Sequence, residues 1–200
     1  MDYYFTIESP AREEIKIEKS KFIASIASVS NKDEAMLFLN RVKTEFFDAN
    51  HNCFAYKIGS SGMEVRSSDD GEPNGTAGKQ ILFCINKSQF SDIIIVVTRY
   101  FGGTKLGKGG LARAYAESAN FVLSKCASKQ IDLSVKIQIF CTYDDISIIK
   151  KLVSDYSTKL EEYYTDQIEL IAYIPGSIVD EFTSKIITLT KARAGFKKIN

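Results

Sequence analysis

DIIIVVTRYFGGTKLGKGGLARAYAESANFVLSK (Asp92–Lys125) carries three structural signals end to end. Asp92–Thr98 is a continuous β-branched run, the composition of a buried central strand. Phe101–Gly110 holds five glycines in ten positions, which suits a loop and neither a strand nor a helix. Leu111–Lys125 sets Leu111, Ala114, Tyr115, Ser118, Ala119 and Val122 along one helical face. Strand, glycine loop and amphipathic helix in this order point to an α+β fold.

Towards the N-terminus, Ser20–Val29 alternates as a strand. Ser30 or Asn31 is placed to cap a helix, with Asp33 and Glu34 in its first turn and Ala35, Phe38, Leu39, Val42 and Phe46 at helical spacing. Asn52–Gly59 reads as a strand, Gly59–Gly62 as a turn and Met63–Ser67 as the returning arm of a hairpin. Asp69–Gly78 (DDGEPNGTAG) packs three carboxylates, three glycines and a proline into ten residues and is irregular. The spacing leaves Lys79–Ile85 open between helix and strand.

Beyond Lys125 the composition changes. Residues 131–200 contain two glycines and one proline. Ile131–Phe140, Lys159–Tyr164, Gln167–Ile174 and Gly195–Ile199 read as strands, and Asp144–Ser154 and Ile178–Thr190 as helices. That order, βαββαβ, is the split-βαβ or ferredoxin-like pattern. Two domains are therefore expected, 1–128 and 131–200, with the boundary near Ala127–Gln130.

Bulk properties limit the function classes. The 200 residues are 44% hydrophobic and 26% charged, ordinary globular values, and the net charge of +1 excludes a uniformly basic nucleic-acid coat but not a local patch. Met1–Ala11 carries Asp2 and Glu8 and has no basic stretch before an apolar run, so no signal peptide is expected. Apolar runs such as Ile93–Val97 fall far short of a membrane span. The expected location is cytoplasmic, with no membrane partner. Cys53, Cys84, Cys126 and Cys141 lie far apart without a C-x-x-C pair and are expected as buried reduced thiols, with no metal site and no cofactor.

The chemistry concentrates in the glycine loop. A buried strand, then glycines, then a helix aims backbone N–H groups at an anion. Arg99, Lys105, Lys108 and Arg113 add four cations to that stretch. Gly102–Gly109 comes within one residue of the phosphate-binding pattern G-x-x-x-x-G-K-[ST], but Gly109 stands where a hydroxyl must hold magnesium, so a nucleotide hydrolase is not expected. The candidate ligand or partner surface is Arg99, Tyr100, Phe101, Gly102, Gly103, Lys105, Gly107, Lys108, Gly109, Gly110 and Arg113. Asp69, Asp70 and Glu72 form a supporting acidic loop whose carboxylates are expected to orient Arg99 or Arg113 through bidentate pairing. His51, the sole histidine, shares a strand face with Cys53; a hydrogen-bonded strand-end role is expected rather than catalysis by a Cys–His pair. Asp144-Asp145, Glu161-Glu162 and the four cations of Lys191–Lys198 read as solvated surface charges, the last with a local basic edge as the alternative.

DDGEPNGTAGKQIL (69–82) followed by VVTRYFGGTKLGKGGLARAY (96–115) resembles the signature of the YigZ/IMPACT family. SKFIA (20–24) and HNCFAYKIG (51–59) fit the same pattern, and the resemblance covers residues 17–125. It implies a ribosomal-protein-S-five domain-2-like fold for the first domain and a ferredoxin-like fold for the second, together similar to two neighbouring domains of the translocation elongation factor. Eukaryotic relatives regulate translation by competing for the activator of the amino-acid-starvation kinase. The family carries no agreed catalytic residues, and a counterpart of the eukaryotic proteins' N-terminal RWD domain is not expected here.

The expected function is therefore a translation-associated binding protein that contacts RNA, the ribosome or a translation-regulating protein through the glycine-rich basic loop. Tyr100 and Phe101 are placed to stack on unpaired bases, or with an exposed Arg99 to anchor a protein partner. The alternative is an enzyme acting on a phosphorylated or otherwise anionic small molecule at the same loop, with Glu72, Asp69 and His51 as its candidate acid–base groups. The ligand and the oligomeric state are not legible in the sequence.

Overall fold

In a computed structural model of the chain, residues 2–60, 62–157, 159–164 and 168–199 are described. The fold is mixed α and β. It divides into two compact units, Tyr4–Ile131 and Asp132–Asn200 with Met1–Tyr3.

The first unit is built on β2 (Ala11–Ile17), β3 (Ser20–Ser28), β4 (His51–Ile58), β5 (Glu64–Ser68) and β6 (Ile93–Tyr100). They form one antiparallel sheet in the order β2-β3-β6-β4-β5, so the β-branched strand is central. Its alternation divides the apolar side chains between two layers. Ile93, Ile95 and Val97 pack with helices α2 (Gly78–Lys87) and α3 (Gly107–Lys125). Ile94 and Val96 pack on the opposite face, with α1 (Lys32–Glu45). Burial on both faces explains the unbroken apolar run without parallel neighbours. A separate pair, β1 (Tyr3–Ile7) with β7 (Ser128–Asp132), was not anticipated from the sequence.

Asn31 caps α1, its side chain accepting from Glu34 N–H at 2.9 Å while Glu34 reaches back to Ser30 N–H at 2.7 Å. The undecided segment 79–85 is helical. Ala77, the residue before α2, offers no capping side chain. Asp69 supplies the cap from upstream: Oδ1 accepts from Ala77 and Gly78 N–H at 3.0 and 2.8 Å, and Oδ2 from Gly75 N–H at 2.9 Å. A capping signal eight residues away lies outside any local reading. The Gly59–Gly62 turn is described except for Ser61, which lies outside the described residues.

The second unit comprises β8 (Ser134–Cys141), α4 (Ile146–Tyr156), β9 (Leu160–Tyr164), β10 (Ile168–Pro175), α5 (Val179–Thr190) and β11 (Gly195–Ile199). Its antiparallel sheet runs β11-β8-β10-β9, over a core that includes Ile139, Leu170, Ile149, Val153 and Phe182. Gln167, the expected first residue of the third strand, lies outside the described residues. Asp145 corrects an expectation. It is not a solvated charge: it is fully buried, and Arg193 donates to its Oδ2 at 3.0 Å, holding the carboxyl below its ordinary range. Arg193, expected as one of the solvated surface cations, is the partner of this buried acid.

Candidate functional site

The register of the sheet assembles the site. Arg99 near the end of β6 pairs with His51 on β4 and with Phe22 on β3, so these three residues share one sheet face. Cys53 and Val97, paired two residues further along, share it too. Tyr115 of α3 packs on this face, edge-on to Phe22 at 5.3 Å.

The acidic loop folds over the same face. Glu72 is buried, and its Oε1 accepts from Arg99 Nη1 at 2.6 Å and from the Tyr115 hydroxyl at 2.8 Å. Arg99 Nη2 reaches Ser20 Oγ at 3.4 Å, while its Nε is buried with no hydrogen-bond partner among the described residues. The Cys53 thiol lies 3.0 Å from Asp69 O and 3.3 Å from Tyr115 Oη. Burial is the main cause that pushes this thiol up to about 12, with the nearby Glu72, Asp70 and Asp69 carboxylates adding to it. It is a packed thiol and not a nucleophile. Burial, then Cys53 and Glu72, raise the Tyr115 hydroxyl far above its usual range, so it remains a donor to Glu72.

His51 is oriented by a backbone carbonyl. Its Nδ1 lies 2.8 Å from Asp70 O, which can only accept, so Nδ1 carries the hydrogen. In the neutral ring Nε2 is then an unprotonated acceptor. It lies 4.0 Å from Glu72 Oε1.

The other two carboxylates of the loop do not meet the basic loop. Asp69 caps α2. Asp70 accepts from Lys43 Nζ at 2.8 Å and from Asn52 N–H at 2.7 Å. Burial opposes ionisation of both, yet both stay below the ordinary carboxyl range: backbone N–H groups hold Asp69 there, and Lys43 with Asn52 N–H holds Asp70. These are structural carboxylates. Among the described residues no cluster of three or more His, Cys, Asp or Glu is placed to hold a metal ion.

A cavity of about 420 Å³ opens where these elements meet. His51, Glu72 and Arg99 contribute its polar lining, Pro73, Phe101, Leu106 and Leu111 its apolar walls, and Lys105 and Lys108 its cationic groups. Asn50 also lines it, and its Oδ1 accepts from Phe101 N–H at 2.7 Å, fixing the start of the glycine loop.

The loop residues divide by role. Arg99 is only 5% exposed, so it is not the surface anchor that its position in the basic stretch suggested; the sheet and Glu72 enclose it. Tyr100 lies on the opposite side of the strand, its ring near Lys21 and its hydroxyl donating to Asp48 at 2.6 Å, which pushes it up to about 12. It is not a cavity residue. Phe101 is 44% exposed and lines the cavity, 5.5 Å from the Arg99 guanidinium. Arg113 lines a second cavity with Glu18, Thr104 and Glu117, which Lys105 and Leu106 also border, so of the four cations only Lys105 borders both cavities. Gly102 meets the β2–β3 turn so closely that a Cβ would lie 2.0 Å from the Lys19 carbonyl. Gly103 and Gly107 take φ of +87° and +67°. Gly109 and Gly110 lie in the first turn of α3, with Gly110 against Leu106. Gly102 and Gly110 thus serve close packing and Gly103 and Gly107 turn geometry, while Gly109 meets neither demand.

Ser20, Asn50, Pro73, Leu106, Leu111 and Tyr115 were absent from the candidate list. Tyr115 carried one usable signal, a bulky polar-tipped ring on a helix face otherwise made of aliphatic residues and Ser118. The others become neighbours only where the acidic loop and the start of α3 pack against the sheet.

The model of the Impact N-terminal domain matches residues 18–123, which contain this entire constellation. The chain belongs to the IMPACT family. IMPACT family member YvyE of Bacillus subtilis is 35% identical over 196 residues, covering 98% of this chain and 90% of that protein. IMPACT family member YigZ of Escherichia coli is 32% identical over 179 residues, covering 88% of each. The protein IMPACT homolog of Dictyostelium discoideum is 39% identical over 94 residues, 45% of this chain and 27% of that protein. A solved structure titled as the crystal structure of a hypothetical protein superposes with a TM-score of 0.72 at 30% identity, covering all of this chain and 98% of its own. Among the described residues of this IMPACT family member, no helix is long and apolar enough to cross a membrane.

Proposed function

We propose that this chain is a translation-associated binding protein that contacts RNA through Phe101, Lys105 and Lys108, and that it works by recognition and not by turnover. The observation that carries this reading is charge placement. Arg99 is neutralised internally by Glu72, whereas Lys105 and Lys108 stand exposed beside a cavity walled by Phe101, Leu106 and Leu111. Exposed cations beside an accessible aromatic ring suit a phosphate backbone with unpaired bases. Membership of the IMPACT family supports the link to translation, and the reading places the protein in the cytoplasm. With it goes a structural assignment. Residues 1–128 form a ribosomal-protein-S-five domain-2-like domain and residues 131–200 a ferredoxin-like domain; the order β11-β8-β10-β9 supports the second.

The test is fluorescence anisotropy of a labelled single-stranded RNA across a salt series. Affinity is expected to fall with salt, and Lys105→Glu with Lys108→Glu to flatten the log–log slope by ~1.4, at ~0.7 per lost phosphate contact on single strands. Salt-independent association, unchanged in the double variant, overturns the proposal. A second reading, turnover of an anionic small molecule in the same cavity, draws on the oriented Nε2 of His51 beside Glu72. Product formation from a metabolite panel that disappears in His51→Ala would establish it over the first.

A further inference from the structure

We propose that the cavity receives one unpaired guanine base of an RNA strand, read at its hydrogen-bond-donor edge by Glu72 and His51. This rests on the RNA-binding reading above and specifies what the cavity adds to it.

The polar lining decides the chemistry. Beside the donors Arg99 and Asn50 it offers two acceptors: Glu72 Oε2, which no hydrogen bond reaches among the described residues, and Nε2 of the neutral His51 ring whose Nδ1 is bound to Asp70 O. The carboxylate charge is already matched by Arg99 at 2.6 Å. Paired acceptors without surplus negative charge suit neutral N–H donors better than a metal cation or an ammonium group. They also repel an anion, so a phosphate belongs with Lys105 and Lys108 and not beside Glu72. The walls formed by Pro73, Phe101 and Leu106 suit a flat apolar body, and aromatic rings stack readily on bases. A flat body with an N–H edge and an anionic tail is a nucleotide. The volume of about 420 Å³ lies at the small end of ligand sites, which run from about 300 to 1,000 Å³. Guanine presents two adjacent donors on one edge, its ring N–H and its exocyclic amine. Adenine, cytosine and uracil each place an acceptor beside their donor, which would face Glu72 or His51 unpaired.

The experiment is calorimetric titration of the full chain with guanosine, inosine, adenosine and cytidine monophosphates and with inorganic phosphate. A single-stranded RNA with one guanine in a uracil run is titrated beside its inosine counterpart. Inosine lacks only the exocyclic amine, so the comparison needs no variant that might misfold. Guanosine monophosphate is expected to bind roughly five- to a hundredfold tighter than the inosine form, the span of one base-edge recognition. His51→Ala should bring the ratio close to one. Lys105→Ala with Lys108→Ala should weaken every nucleotide and leave the ratio intact. Equal affinity for guanine and inosine, or inorganic phosphate binding as tightly as guanosine monophosphate, overturns the inference. RNA binding that persists without base preference would sink this pocket and leave the RNA reading standing. Guanosine selectivity in the mononucleotide without binding of either RNA would sink both, since the base would then belong to a free nucleotide.

Discussion

Arg99 Nη1 donates to Glu72 Oε1 at 2.6 Å, with both side chains at least nine-tenths buried. Strand β6 and the acidic loop thereby close on each other around an internal ion pair that Tyr115 also joins. Removing one partner strands a buried charge, which costs about 3–5 kcal/mol. Arg99→Ala and Glu72→Gln are each expected to lower stability by about that much in urea denaturation. Arg99→Met combined with Glu72→Leu should cost less than the sum of the singles. Losses below ~1 kcal/mol in both singles would show that the pair is not what holds the loop. Loss of binding in Arg99→Ala alone would therefore report on folding, which makes Lys105 and Lys108 the better probes of recognition.

Asp69 links stability to acid. Its folded pKa lies below the ordinary value of 3.8, as do those of Asp70 and Asp145. A depressed folded pKa contributes stability that is present above the unfolded value and lost as pH falls through the folded one. Thermal stability should stay level from neutral pH to roughly pH 5 and drop below about pH 4. Asp69→Ala removes the cap of α2, is expected to cost ~1–2 kcal/mol at neutral pH, and should shrink the acid loss. An unchanged acid limb in the variant would assign that limb to other carboxylates.

Gly102 and Gly109 should respond to alanine with opposite signs. A Cβ at Gly102 meets the Lys19 carbonyl at 2.0 Å and Ser20 N at 2.5 Å, so relief requires backbone and not merely a side chain to shift. Gly102→Ala is expected to destabilise by about 3 kcal/mol or more. At Gly109 the nearest atom is Arg113 Nη1 at 3.8 Å and the backbone is helical, so alanine is expected to stabilise by ~0.5–1 kcal/mol. Chemical denaturation of the two variants side by side checks both signs.

The four thiols should differ in reactivity. Cys53, Cys84 and Cys141 are buried and Cys126 is partly exposed. Burial leads the causes that raise all four above the ordinary thiol value. A thiol reagent at mildly alkaline pH should reach Cys126 first and Cys53 only on unfolding. Rapid labelling of Cys53 in the native protein would contradict its packing between Asp69 and Tyr115.

Much of the fold follows from local patterns. The run Ile93–Val97 is apolar because both faces of the central strand are covered, and the face of Leu111, Ala114, Tyr115 and Val122 is apolar because it covers one of them. Such signals are carried by neighbours in the chain, where the periods of strand and helix act. Helix α2 escaped this reading because its cap, Asp69, comes from a loop residue outside the first turn. The candidate site was legible as a region and less so as an arrangement. Both loops were visible from their glycines and charges, and Glu72 does meet Arg99. Asp69 and Asp70 turned to backbone amides and Lys43 instead, and Tyr100 and Arg113 point elsewhere.

By itself the sequence determined the central strand, the glycine-rich turn after it, the helix that packs back and the succession of elements beyond residue 131. Each depends on spacing within about a dozen residues. Only the tertiary structure decided which charges are spent inside and which remain exposed. Register sets Arg99 opposite His51, burial matches Arg99 to Glu72, and Lys105 and Lys108 are left exposed. A charge written in the chain has no fixed meaning until its desolvation and its partner are known, and both are set by residues far away in sequence.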